Sequence, residues 1–280
     1  MNLNKLKKLS GDASFRSFYR KKKSVLVYCK KDKKINLANY EAVNKILIKN
    51  KILAPRLISE DYKNDYIEIE DLGDMTVYKK FKKKNVNKFY YYKKIIRLLQ
   101  KMQKIKVRKM KTFLNSKHKI TIYSNNKLVN EANLFLKWYL PKYIKGNRKK
   151  VIKKKIYKIY KILIKKLIYK KKVFVHRDFH VSNIMITKNG LGLIDSQDAV
   201  FGNIAYDLAS LIDDVRFKTS IKTKKFVFDE FLKINKSLNI KKFKNDFEIL
   251  SVMRNLKIIG IFTRLSIRDK KNKYLKLIPH

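Results

Sequence analysis

One cysteine, three prolines and seven glycines in 280 residues rule out several ways of building this chain. Cys29 alone closes no internal disulfide and no Cys/His spacing suits zinc, so the fold must rest on a packed core, in a reducing compartment. There is no run of about 18 apolar residues and no hydrophobic signal core near the start. Neither a membrane span nor a secretory leader is therefore supported, and the expected location is the cytoplasm. Acids are also scarce, 22 against 71 basic residues, for a net charge of +49. Such a surplus could serve nucleic acid or an anionic membrane surface. The lysines, however, are spread along the whole chain, amid abundant Ile, Asn, Tyr and Phe, as AT-rich coding bias would leave them. The expectation is a solvated coat with salt-sensitive, non-specific affinity for polyanions, and no specific nucleic-acid or membrane partner.

What is present is enough hydrophobic material, 45% of residues, to fill one large domain or two lobes. From Ser10 to Arg20 the pattern reads as a glycine turn and a strand, with Ser24 to Cys29 returning as the second arm of a hairpin. Gly11 would allow close backbone approach to a phosphate, with Ser14 and Arg16 as donors; an ordinary hairpin turn explains the same residues. No Walker A or glycine-rich kinase sequence occurs. Tyr40, Val43, Ile46 and Leu47 have helical spacing, with Glu41 near the start. A kinase-like small lobe would set such a Glu against a strand lysine, Lys30 or Lys31, and a surface Glu fits equally well. The alternation Ile67, Glu68, Ile69, Glu70 predicts a strand with one wet face, leaving through Leu72-Gly73-Asp74. That is where a bilobal kinase has its hinge, and Glu70 and Leu72 are its candidate nucleotide contacts.

Beyond about Val86 the apolar period becomes helical: Phe89 to Met102, Ile152 to Leu167, about Lys224 to Lys236, and Phe243 to Leu265. Strands first and helices later predict an α+β, bilobal, protein-kinase-like fold. The small N-lobe, residues 1–72, would hold an antiparallel sheet and a helix; the mainly helical C-lobe would be residues 73–280.

The stretch from Val173 to Asp195 concentrates the chemistry. A short apolar run enters a polar loop, His176-Arg177-Asp178-Phe179-His180, followed by Asn183, a hairpin around Asn189-Gly190, and Asp195. Phosphoryl transfer needs an in-line nucleophile and neutralised phosphate oxygens more than covalent chemistry. Asp178 is the candidate base, Asn183 and Asp195 are candidate oxygen ligands for Mg²⁺, and His176 would buttress the loop. Only about a dozen residues separate Asp195 from the helix start at Tyr206-Asp207-Leu208, which leaves no room for a long activation segment, so a small-molecule acceptor is expected.

Six words of sequence, in order, resemble the aminoglycoside phosphotransferase and choline kinase superfamily: GDASFRSFYR from Gly11, IEDLGD from Ile69, NEANLFLKWYL from Asn130, VHRDFHVSNIMI from Val175, GLIDSQDAVFGNIAYDLASLIDD from Gly192, and NLKIIGIFTRLSIRDKKNKYL from Asn255. Within it the chain looks like the bacterial anomeric kinases for N-acetylmuramate and N-acetylglucosamine in cell-wall recycling. The resemblance implies ATP and Mg²⁺, the Gly11 to Arg16 turn over the phosphates, and Glu131, Asp198 and the Arg254 to Arg268 region around a sugar acceptor. It departs from the family at Ser196, where an aromatic is more usual, and in lacking an identifiable N-lobe lysine. A monomer is expected. The alternatives are an aminoglycoside or choline/ethanolamine-type kinase, and a non-catalytic polyanion-binding protein on a kinase scaffold.

Overall fold

The computed structural model describes residues 6–9 and 15–278, and the chain divides into two compact units: Met1–Thr121 with Val181–Val200, and Ile122–His180 with Phe201–His280. In chain order the elements begin with β1 (Lys7–Leu9), β2 (Ser17–Arg20), β3 (Ser24–Tyr28), α1 (Tyr40–Lys49), β4 (Leu57–Asp61), β5 (Tyr66–Glu70), α2 (Val77–Phe81), α3 (Lys88–Gln103), β6 (Lys109–Lys111) and β7 (Lys117–Lys119). They continue with α4 (Asn125–Leu134), α5 (Leu140–Tyr143), α6 (Gly146–Lys165), β8 (Lys172–Val175), β9 (Ile184–Thr187), β10 (Gly190–Leu193) and β11 (Val200–Asn203). Last come α7 (Tyr206–Ile212), α8 (Ile221–Ile234) and α9 (Ile240–Asp269).

In the first unit, five antiparallel strands run in the order β1-β2-β3-β5-β4. The predicted alternation in β5 holds: Ile67 and Ile69 are buried opposite Val27 and Val25, while Glu70 is exposed. Tyr40 of α1 and Leu37 of the π turn before it close that core with Cys29. α3 starts where the Asn87 side chain accepts from the Tyr90 N–H, and it buries Tyr92, Ile95, Ile96, Leu99 and Met102, the stripe that its spacing predicted. The β9–β10 hairpin joins this unit through main-chain bonds, Leu193 N–H to Leu53 O at 2.8 Å and Ile186 N–H to Met75 O at 2.7 Å. Gly192 lies beneath Leu53 and Leu72, where a Cβ would meet the Leu72 side chain at 3.1 Å.

The second unit is mainly helical, with β8 and β11 paired. α4 passes without a break into a π turn, Phe135–Tyr139, and then into α5. Gly260 of α9 sits against that junction: an added Cβ would collide with the Leu134 carbonyl carbon and the Phe135 nitrogen. Its missing side chain is what lets α9 approach α4 so closely. Asp246 ties the unit together below, accepting from the Ile168 and Tyr169 N–H groups at 2.8 and 2.9 Å and from Asn203 at 2.6 Å. The α+β class and an antiparallel sheet near the start are those expected from the sequence, and the structure gives that sheet five strands. The β6–β7 hairpin and strand β11 are additions to that expectation.

Candidate functional site

In the first unit, the β9–β10 hairpin carries Asn183 just before β9 and Asp195 just after β10. The Ile194 N–H donates to the Asn183 carbonyl at 3.1 Å, which brings the two ends together. Asp195 adopts a left-handed backbone, φ +65°, a conformation costing a non-glycine residue about 1–2 kcal/mol and typical of functional turns. Its carboxylate pairs with the Arg16 guanidinium, which also donates to Gln197 Oε1 at 2.8 Å. Arg16 itself is packed over the rings of Phe18 and Tyr40, at 5.4 and 5.2 Å. The pair is lopsided, for the Arg16 side chain is 2% exposed and that of Asp195 36%. Burial works against the Arg16 charge, but Asp195 and other neighbours outweigh it and push its pKa up.

Ser196 and Asn44 brace this segment. The Ser196 hydroxyl donates to Asn44 Oδ1 at 2.7 Å, and Asn44 Nδ2 donates to the Pro55 carbonyl at 3.1 Å. A small hydroxyl therefore fits at 196, tying the segment after Asp195 to α1. Glu41 pairs with Lys45 at 2.5 Å, one helical turn on. The buried cation facing the Asp195 carboxylate is Arg16, the residue before β2. A carboxylate at one end of the hairpin and an asparagine at the other are the kinds of donor that suit Mg²⁺, which takes few protein ligands and completes its shell with water and phosphate oxygens.

In the second unit, β8 delivers the loop His176 to His180. His176 is fully buried, its ring edge-on to Phe179 at 6.4 Å, in keeping with a buttressing part. The main chain is clamped by Asp207 at the start of α7, which accepts from the His176 N–H at 2.7 Å and the Arg177 N–H at 3.0 Å. Burial pushes the Asp207 carboxyl up to about 7 despite these two donors. Arg177 is left-handed, φ +77°. Its guanidinium donates to Glu131 Oε1 at 2.6 Å, and Lys257 of α9 meets Glu131 Oε2 at 2.8 Å. The Tyr123 hydroxyl donates to the same carboxylate. Asp178 stands beside this cluster. Burial would raise its pKa, but Lys257, Arg177 and Arg254 hold it well below the usual carboxylate range. His180 is driven well down, by burial first and then by Arg216, so it stays neutral at pH 7.

Of the residues singled out from sequence, Gly11 and Ser14 lie outside the described residues. Arg16, Asn183, Asp195 and Asp198 belong to the first unit, where Gln197 Nε2 donates to Asp198 Oδ2 at 3.2 Å and Asp198 is exposed. Glu70 and Leu72 belong there too, Glu70 donating its N–H to the Arg56 carbonyl at 2.8 Å. Asp178, His176, Glu131 and Arg254 belong to the second, Arg254 buried and donating to the Asp213 carbonyl at 3.3 Å. Sequence reasoning missed three participants. Asp207 was legible as the acid of the Tyr206-Asp207-Leu208 word. Arg20 clasps the exit of β5, bonding Asp71 at 2.6 Å, Asp74, and the Gly73 carbonyl at 3.1 Å. Lys257 was one lysine among many.

Residues 5–226 match the family described as "Phosphotransferase enzyme family". An N-acetylmuramate/N-acetylglucosamine kinase of Neisseria meningitidis serogroup B is 28% identical over 96% of this chain and 81% of its own length. One of the same name from Pseudomonas aeruginosa is 25% identical over 96% of this chain and 79% of its own. Among solved structures, a choline/ethanolamine kinase family protein from Mesorhizobium loti superposes with a TM-score of 0.68 at 13% identity, covering 98% of this chain and 84% of that one. The ADP-bound aminoglycoside phosphotransferase APH(2'')-Ib gives 0.66 at 16% identity, covering 99% and 93%. At these identities the structural likeness establishes the kinase-like fold.

Proposed function

The chain belongs to the phosphotransferase enzyme family, and from that premise we propose that it is an ATP- and Mg²⁺-dependent kinase that phosphorylates the anomeric hydroxyl of N-acetylmuramate and N-acetylglucosamine. One observation carries the choice of acceptor: relatives sharing that name align with 96% of this chain, including both units that supply candidate residues. Asp178 is the base. Its depressed pKa keeps it ionised at neutral pH, ready to orient the acceptor hydroxyl and take its proton. The clamp of Asp207 on the loop backbone and the buried His176 ring fix where that carboxylate stands. Asn183 and Asp195 hold the metal, which neutralises phosphate charge when bound, and Arg16 supplies a fixed cation beside them. An enzyme that uses ATP and keeps its lone, buried Cys29 thiol unpaired suits the cytoplasm.

The test is a Mg²⁺-ATP turnover screen of purified protein against the two amino sugars, an aminoglycoside, choline and ethanolamine. Turnover of the amino sugars, lost on chelation and in Asp178→Ala, is expected. Turnover of an amine acceptor in preference to either sugar would replace this assignment. Salt-sensitive polyanion binding with no turnover at all would favour the non-catalytic alternative.

A further inference from the structure

We propose that Lys257 is a positioning residue for phosphoryl transfer, acting on the catalytic loop through Glu131 and Arg177. The inference rests on the reading of Asp178 as the base, and on three features of the second unit. The first is a bridge. Glu131 spends one oxygen on Arg177, the residue preceding Asp178, and the other on Lys257 at 2.8 Å. With both oxygens held by cations and Tyr123 added, this carboxylate is committed to internal partners.

The second feature is the helix packing that makes the bridge possible. Lys257 lies three residues before Gly260, and Glu131 three before Leu134, on the helices that meet where Gly260 has no side chain. Residues three apart share a helix face, so the close approach at Gly260 and Leu134 sets the span that the Lys257–Glu131 pair must cross one turn away. The third is charge. Arg177 and Lys257 against Glu131 and Asp178 make two cations and two carboxylates. Side chains of Glu131 and Lys257 are only 17% and 12% exposed, so screening by water is weak. Arg254, which also bears on Asp178, leaves a surplus of positive charge that grows when Asp178 accepts a proton. It therefore supports the ionised base and favours onward loss of the captured proton.

Charged and titratable groups from several elements bear on Asp178 and on Lys257. Lys257 and Arg254 of α9, Arg177 and His180 of its own loop and Asp207 of α7 act on Asp178, while Tyr206 of α7 and Glu131 of α4 act on Lys257. Burial opposes the charge on Lys257, but Tyr206, Glu131 and Asp178 outweigh it and raise its pKa, so it remains a cation throughout the working range.

A lysine near an acceptor site could instead read a carboxylate on the substrate, as the acidic sugar N-acetylmuramate carries and the neutral N-acetylglucosamine does not. The two roles separate experimentally. In Lys257→Met the expected result is a fall in kcat of about tenfold or more for whichever acceptors the unaltered protein phosphorylates, with little change in KM for acceptor or ATP. The acid limb of kcat should move up by about one pH unit, because a cation near the base is gone. Lys257→Arg should recover most of the loss. The double variant Lys257→Met with Glu131→Gln should be no slower than the slower single variant, since both act along one path. Multiplying losses, an unchanged kcat, or a rise in KM confined to the acidic sugar would overturn the proposal. If Lys257→Met does not fold, the same cycle run with Lys257→Gln reads the coupling. Failure of the unaltered protein to phosphorylate either amino sugar would strike the acceptor assignment alone, since the cycle can use any acceptor that it does phosphorylate.

Discussion

The two acids that bracket the central stretch are handled in opposite ways. Asp195 meets a single arginine face to face, a buried cation against a carboxylate that keeps a third of its surface open. Asp178 is flanked by cations from two elements, Lys257 and Arg254 of α9 and Arg177 of its own loop, and Arg177 is itself anchored to a second carboxylate. An acid that must exchange partners needs one that can let go. An acid that must stay charged through a cycle of protonation needs a field that no single side chain controls. The difference thus follows from what each is proposed to do, ligation at one end of the stretch and proton transfer at the other.

The comparison breaks most sharply if the acids are exchanged for amides. Asp178→Asn should lower kcat by about 10²- to 10⁴-fold while leaving nucleotide binding, measured by calorimetry, within a few-fold of normal. Asp195→Asn should abolish Mg²⁺-dependent nucleotide binding in the same measurement, and equal losses of binding in both variants would erase the distinction. Next in size is Gly260→Ala, which forces a methyl into the Leu134–Phe135 backbone. A destabilisation of about 1–3 kcal/mol is expected in denaturant unfolding, together with a loss of kcat. Arg16→Met should cost about 1–2 kcal/mol, less than a fully buried pair would lose, because water can solvate the half-open Asp195 carboxylate left behind.

Smallest is the effect of pH on the Glu131 bridge. Burial would raise its pKa, but Lys257 and Arg177 hold it below the usual value. Its folded-state pKa is therefore lower than its unfolded one near 4.3, so its contribution is full above that pH and is lost as pH falls through the folded value. Denaturation midpoints taken from pH 6 down to pH 3 should fall less steeply in Glu131→Gln than in the unaltered protein.

Much of this was legible beforehand, where periodicity or spacing acts within a short window. The α3 stripe, the wet and dry faces of β5, the β9–β10 hairpin and the acids around it all declared themselves locally. What stayed hidden was pairing at long range. β6 and β7 read KMK and KHK, too short and too basic to show alternation, and are held as strands only by one another. Lys257 could not stand out among 71 basic residues, since nothing in its neighbourhood says that α4 will present Glu131 to it. The one available hint was the glycine within a long helix, Gly260, which marks close packing without naming what is packed. Arg16 was picked out as a cation for phosphate, but its place against Asp195 came from the fold.

The missing methyl at position 260 also binds two distant parts of the gene to a common fate. A larger residue there can be tolerated only if the turn at Leu134 and Phe135 gives way, and any change in that turn alters the seat of Glu131 a helical turn earlier. Substitutions at these places should accordingly be inherited as matched sets, so that the pairing leaves a trace in lineages of this protein wherever the bridge to Lys257 has been kept.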